Sequence, residues 1–238
     1  MRTAYTVFRN LYNVRKMTMK LVLASGSQRR RELLTMCGYD YEIIVSNADE
    51  TIDENDPESF VRALSFRKAK DVFDRLFAAG RRDFAVIGSD TVVAFQKEGE
   101  AKPVIIGKPK DAEDAVRILS MLSGKTHRVF TGVSVIADIP DENADAQCSI
   151  REKEEIQTEC SIAEVTFETL SPDEITDYVN SGDSLDKAGS YGIQGPFGMF
   201  VREIRGNYFT VIGMPIPVLY KMLKKIGILP HGFYERIE

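Results

Sequence analysis

Residues 21–34 read Leu-Val-Leu-Ala-Ser-Gly-Ser-Gln-Arg-Arg-Arg-Glu-Leu-Leu, an apolar strand, a Ser/Gly turn and a helix that opens on three arginines. A helix begins with unpaired backbone N–H groups and the positive end of its dipole, so cations in the first turn are disfavoured unless an anion shares the site. The simplest such anion is a phosphate. Arg30, Leu33, Leu34 and Cys37 fall at i, i+3, i+4 and i+7 on one helix face, which makes Arg30 the start of the buried stripe. Arg29 and Arg31 lie about 100° to either side of it, one able to share its pocket and the other facing water. Ser25 or Ser27 supplies the N-cap, and Gly26 lets a ligand approach the backbone. A solvated basic turn on an ordinary strand-turn-helix connection is the competing reading.

Strands and helices alternate through most of the chain. The patterning predicts strand 21–25, helix 27–37, strand 41–46, helix 57–79, strands 84–89 and 91–96, helix 111–122 and strand 127–137, an α/β arrangement. Residues 138–160 are polar and acidic and read as a mobile surface insertion. Strand 162–170 follows, then a helix announced by Ser171-Pro172-Asp173-Glu174, a capping box with proline at the first helical position. Strands 199–204 and 208–212 are expected as a hairpin around Arg205-Gly206-Asn207, and an amphipathic helix from Pro217 to Ile226 closes the chain.

The 238 residues, 43% of them hydrophobic, suffice for a full core. A formal net charge of -5 argues against binding nucleic-acid polymers, which asks for a basic excess; local basic clusters then have small anionic targets. Cys37, Cys148 and Cys160 show no paired spacing and histidine is nearly absent, so neither a disulfide framework nor a zinc site is supported. A reducing compartment such as the cytoplasm fits. No apolar run reaches the length of a membrane span. Arg2, Arg9, Arg15, Lys16 and Lys20 precede the first acidic residue, Glu32, so residues 1–19 read as a leader, disordered or targeting to an organelle, ahead of a single domain over 20–238.

Two charged residues stand where apolar ones are expected. Asp90 lies between two apolar strand runs, at the step Gly88-Ser89-Asp90-Thr91. An ionised carboxylate buried there without a partner would cost several kcal/mol, on the order of ~5, so it must meet a cation, a metal or N–H donors, or else satisfy a turn. Phe60, Leu64, Lys68 and Val72 step by four, which sets Lys68 in a buried stripe; its ammonium either snorkels to solvent or meets a phosphate. Lys108, in Gly107-Lys108-Pro109, is a third cation at a connection between elements. Gly124-Lys125-Thr126 resembles the end of a P-loop, but Leu119 occupies the place of its first glycine, and Gly124 reads as a helix C-cap. Tyr191-Gly192-Ile193-Gln194-Gly195 has the wrong spacing for a dinucleotide fingerprint. Gln194 there is either a solvated loop residue or an amide able to read a nucleobase edge.

Ala24-Ser25-Gly26-Ser27-x-Arg29-Arg30, Gly88-Ser89-Asp90-Thr91, Gly107-Lys108-Pro109, Leu185-Asp186-Lys187-Ala188-Gly189 and Tyr191-Gly192-Ile193-Gln194-Gly195 together resemble the Maf family of nucleoside triphosphate pyrophosphatases, over about residues 20–226. The resemblance implies an α/β fold related to the inosine triphosphate pyrophosphatases, a long curved mixed sheet flanked by helices, with a cleft between two lobes. It implies hydrolysis of a nucleoside triphosphate to monophosphate and pyrophosphate with Mg²⁺ or Mn²⁺, and a homodimer. Asp90 matches the family's proton acceptor, expected to act with Lys68. Arg29, Arg30, Lys68 and Lys108 match phosphate-side or specificity positions, Glu50 an active-site acid, and Thr91 and Gln194 positions tied to base choice; beside these matches, Ser25, Glu50 and Lys108 are expected to bind substrate, Arg29 to share in base choice, and Glu50 to hold the metal with Asp90. The Tyr-Gly-Ile-Gln-Gly run resembles the branch acting on dTTP and UTP. Gln28 departs from the family's proline, Ser89 from its frequent alanine, and the 95–107 and 138–160 connections are extended. A nucleotide-binding regulator of septum formation that does no chemistry is the alternative, but a carboxylate at position 90 would only repel a ligand that it does not transform.

Overall fold

The computed structural model describes residues 19–100, 102–139 and 153–231. Residues 1–18 of the expected leader over 1–19, and residues 140–152 of the expected insertion, lie outside the described residues. The chain opens with β1 (Lys20–Leu23), α1 (Gln28–Met36), β2 (Tyr41–Ile43), α2 (Pro57–Ala78), β3 (Phe84–Phe95), β4 (Val104–Ile106) and α3 (Ala112–Leu122). It continues with β5 (Thr126–Ile139), β6 (Lys153–Phe167), α4 (Pro172–Asn180), β7 (Val201–Gly206), α5 (Tyr208–Ile212) and α6 (Ile216–Lys225). The strands form one seven-stranded sheet in the order β2-β1-β3-β5-β6-β7, with β4 also on β3. β1 is parallel to β2 and β3, and the remaining pairs are antiparallel, so the mixed α/β expectation holds.

Alternation along the strands feeds both faces. Leu21, Leu23, Ile87, Val133 and Val135 pack under α1 and α6, while Val22, Val86 and Ile136 pack under α2 with Ala69, Val72 and Phe73. Beyond them, α3 and α4 close over Val129, Val165 and Phe167. The capping box at α4 forms as expected: Ser171 N–H donates to Glu174 Oε2 at 2.7 Å and Glu174 N–H to Ser171 Oγ at 3.3 Å. No helix among the described residues is long and apolar enough to cross a membrane.

Four expectations are corrected. The runs 84–89 and 91–96 are one unbroken strand, because β5 pairs with it from Ala85 to Ala94 and carries the Gly-Ser-Asp-Thr step through as ladder. Residues 153–160 are not surface excursion but the first half of β6, paired with β5; their acidic side chains hid the strand. Residues 208–212 form a helix rather than a hairpin arm, because Asn207 caps it by accepting from Phe209 N–H at 2.8 Å. The connection after β3 also contains a strand, β4, that folds back on Val93–Phe95.

The topology leaves one opening. β5 occupies one edge of β3 along nearly its whole length. The other edge is taken by β1 over Phe84–Ile87 and by β4 over Val93–Phe95. Residues 88–92 between them have no ladder partner on that edge among the described residues, so the sheet carries a notch at Gly88-Ser89-Asp90-Thr91-Val92, where the parallel part gives way to the antiparallel part.

Candidate active site

The notch is lined from both faces. On the α2 face, Lys68 Nζ stands 2.8 Å from Asp90 Oδ1 and 3.0 Å from Glu50 Oε1. Lys68 and Asp90 side chains are 11% and 12% exposed whereas Glu50 is 65% exposed, so the pair is anchored inside and opens to solvent at one end. Lys68 does not snorkel past the sheet, and Asp90 is satisfied by a cation rather than by a turn. The approach of α2 depends on two glycines. A β-carbon on Gly88 would stand 2.2 Å from the Ser65 carbonyl oxygen, and one on Gly132 would stand 2.1 Å from that of Val61. Only bare backbone admits the helix that close, and one turn after Ser65 it delivers Lys68 to Asp90.

On the opposite face, Arg30 reaches back from the first turn of α1. Its Nε donates to the Gly213 carbonyl at 2.9 Å, Nη1 to Ser25 Oγ at 3.1 Å and Nη2 to Thr91 Oγ1 at 3.4 Å. Burial lowers the guanidinium from its ordinary value, Asp90 raises it, Arg29 lowers it and Glu50 raises it; it stays cationic, as arginine does in proteins. Arg30 thus senses the acids across the strand. Ser27 is the N-cap of α1 but makes no side-chain cap bond. The hydroxyl of Ser25 instead accepts from Ser27 N–H at 3.2 Å, so no side chain caps the first amides of the helix, which remain able to meet an anion.

Arg29 turns to the chain after α4. Its Nη1 lies 3.0 Å from Asp186 Oδ2. Lys187 Nζ bridges Asp186 and Asp183 at 2.7 and 2.9 Å, and Asp183 accepts from Tyr178 Oη at 2.8 Å, which itself accepts from Gly192 N–H at 3.1 Å. The arginine is thereby linked to the Tyr191–Gly195 loop. Gly189 N–H donates to the Gly107 carbonyl at 3.0 Å, which ties the Lys108 connection to the same segment. Lys108 and Gln194 themselves are exposed, and their side chains make no hydrogen bond or ion pair among the described residues. A surface depression of about 560 Å³ along Gln28, Arg31, Glu32, Thr35, Met36 and Tyr41 belongs to the outward face of α1 and contains none of the paired residues.

A family model described as "Maf-like protein" matches residues 20–226. The chain belongs to the Maf family. Among relatives of this Maf chain, a "dTTP/UTP pyrophosphatase" of Agathobacter rectalis is 39% identical over 217 residues, covering 88% of this chain and 98% of that protein. Another of the same description, from Bacillus thuringiensis subsp. konkukian, is 41% identical over 210 residues, covering 88% and 96%. Of solved structures, that of the Staphylococcus aureus Ham1 protein is similar at 16% identity with a TM-score of 0.44, covering 87% of this chain and 99% of that one.

Sequence reasoning on this Maf chain found the charged residues and missed what supports them. Gly132 sat unremarked inside the apolar run of β5, although an isolated glycine in a strand signals close backbone approach. Thr131 and Asp183 carried no signal, since a threonine in a strand and an aspartate in a turn are ordinary. His127 is buried, with Nε2 3.0 Å from Tyr191 Oη.

Proposed function

We propose that this protein hydrolyses nucleoside triphosphates, dTTP and UTP foremost, to the monophosphate and pyrophosphate. The observation that carries this reading is the placement of Lys68 between Asp90 and Glu50 at the unpaired edge of β3, with Arg30 on the other face of the same strand. Phosphoryl transfer asks a protein chiefly to align a water and neutralise charge. Asp90 takes the proton of the water whose oxygen bonds to the α-phosphorus, and the bond from that phosphorus to the bridging oxygen breaks, so that pyrophosphate leaves. Lys68 holds the Asp90 carboxylate in one orientation. Arg29, Arg30 and Lys108 counter the phosphate charge, with Ser25 and the first amides of α1 beside them.

The donor set suits a hard divalent cation. Two carboxylates, Asp90 and Glu50, converge on the Lys68 ammonium, and Mg²⁺ or Mn²⁺ takes one or two carboxylates from a protein and completes its shell with water and phosphate oxygens. Glu50 and Asp90 would hold it, and when bound it neutralises phosphate charge. The Gln194 amide donates and accepts at once and so complements the NH flanked by carbonyls of uracil or thymine; Arg29 and Thr91 share in base choice. The relatives described as dTTP/UTP pyrophosphatases, about two-fifths identical over most of the chain, support the same substrates.

A screen of canonical and modified triphosphates with Mg²⁺ or Mn²⁺, reading pyrophosphate through a coupled inorganic pyrophosphatase, tests this. Release from dTTP and UTP ahead of the purine triphosphates is the expected result. Tight nucleotide binding with no release from any of them would overturn it in favour of a regulator.

A further inference from the structure

Arg30 is not merely near the site; it is held at three points, Gly213, Ser25 and Thr91, and one residue ties the first to the last. Thr131, fully buried in β5, is the ladder partner of Thr91. Its hydroxyl donates to the Thr210 carbonyl at 2.7 Å. A hydroxyl has one proton, so in the 3.0 Å contact between the Thr91 and Thr131 hydroxyls Thr91 must be the donor. The Thr91 proton is therefore turned toward Thr131, and its lone pairs are left to accept from Arg30 Nη2 at 3.4 Å.

The same carbonyl of Thr210 also accepts from Gly213 N–H at 3.1 Å. It thus anchors the turn whose next link, the Gly213 carbonyl, receives Arg30 Nε at 2.9 Å. Arg30, Thr91, Thr131 and the 210–213 turn form a closed ring of hydrogen bonds. The ring leaves little slack. A β-carbon on Gly213 would lie 3.1 Å from Thr91 Oγ1 and 3.8 Å from Arg30 Nε.

We propose that Thr131 is a positioning residue: by fixing the proton direction of Thr91 and the turn at Gly213, it sets the orientation in which Arg30 meets a phosphate. This rests on reading the notch as a polyphosphate site. Thr131 touches no substrate itself, and its effect must pass through Arg30.

The test compares Thr131→Val, which keeps the shape and removes the hydroxyl, with Thr131→Ser, which keeps the hydroxyl. Each is made in the wild-type and the Arg30→Ala backgrounds. Two readouts are taken on the full chain: KM and kcat for pyrophosphate release from dTTP, and the affinity for inorganic pyrophosphate by calorimetry. Loss of one buried, charge-linked hydrogen bond corresponds to about a tenfold effect. We expect Thr131→Val to raise KM and weaken pyrophosphate binding by that factor with kcat less affected, Thr131→Ser to restore both, and Thr131→Val to add less than about twofold once Arg30 is gone. A Thr131→Val effect that persists in full without Arg30, or that is absent from both readouts, overturns the proposal. A wild-type protein that releases no pyrophosphate, yet loses affinity for it on Thr131→Val, would reject the hydrolytic function and leave Thr131 in its role. Pyrophosphate release from dTTP in the wild type, with both KM and pyrophosphate affinity unchanged by Thr131→Val, would do the reverse. Should Thr131→Val not fold, Thr131→Ala goes through the same comparisons.

Discussion

A β-carbon placed on Gly132 would lie 2.1 Å from the carbonyl oxygen of Val61. That contact fixes how closely α2 rests on the sheet, and so whether the Lys68 ammonium reaches Asp90. Gly132→Ala should therefore act on stability and activity together. Overpacking of this kind costs about 1–3 kcal/mol, and here the obstructing atom is backbone, which cannot rotate away. Urea denaturation should show a lowered midpoint with the slope unchanged, and pyrophosphate release should fall by more than the unfolded fraction explains. A variant of wild-type stability would mean that the helix has room to shift.

Asp90→Asn removes the proton acceptor while keeping nearly the same volume. A positioned general base contributes about 10²–10⁴-fold, so kcat should fall by at least a hundredfold. Triphosphate binding, followed by calorimetry, should hold or tighten, since one negative charge facing the phosphates is gone. Unchanged turnover would take Asp90 out of its role.

Gln194 carries no partner among the described residues, so its truncation should leave the fold alone. Gln194→Ala is expected to narrow the ratio of kcat/KM for dTTP over CTP by about tenfold, the scale of one net hydrogen bond. Its dependence on Mg²⁺ concentration should stay as in the wild type. Equal losses on every nucleotide would make Gln194 a loop-shaping residue instead.

Burial pushes His127 down to about 3, against about 6.5 in an unfolded chain. Between these values the unfolded chain takes up a proton that the folded one refuses. The stability contributed by neutral His127 is complete above about pH 6.5 and is lost as pH falls toward 3, by about 1.4 kcal/mol per unit. His127→Gln can still meet the Tyr191 hydroxyl but does not titrate. Thermal melts at pH 7 and pH 5 should therefore show a smaller drop for the variant than for the wild type. Identical drops would place the acid sensitivity elsewhere.

The charged centre was legible because its residues break patterns. Lys68 interrupts a stripe of four-residue period, Asp90 interrupts an apolar run, and Arg30 opens a helix at the wrong end of its dipole. Glu50, with no pattern around it, came only from family resemblance. The strand breaks were misread for a physical reason: Gly, Ser, Asp and Thr favour turns locally, but pairing with β5 outweighs local preference. Tyr208–Ile212 has the composition of a strand, and only the Asn207 cap with the positive-φ Gly213 behind it reveals a helix. Hydroxyl directions, as at Thr131, depend on partners far away in the chain and leave no trace in sequence.

Asp90 occupies a rung of the central ladder rather than a loop, and that has an evolutionary consequence. Gly88 and Asp90 look toward α2 while Ser89 and Thr91 look the other way, so inserting or deleting one residue between Phe84 and Asp90 would present a hydroxyl to Lys68 and send the acid to Arg30. The spacing there is as untouchable as the acid itself, and variation in length has to be absorbed by segments such as the one between β3 and β4. Changes of substrate in descendants of this chain would then come from remodelled loops around a stationary acid.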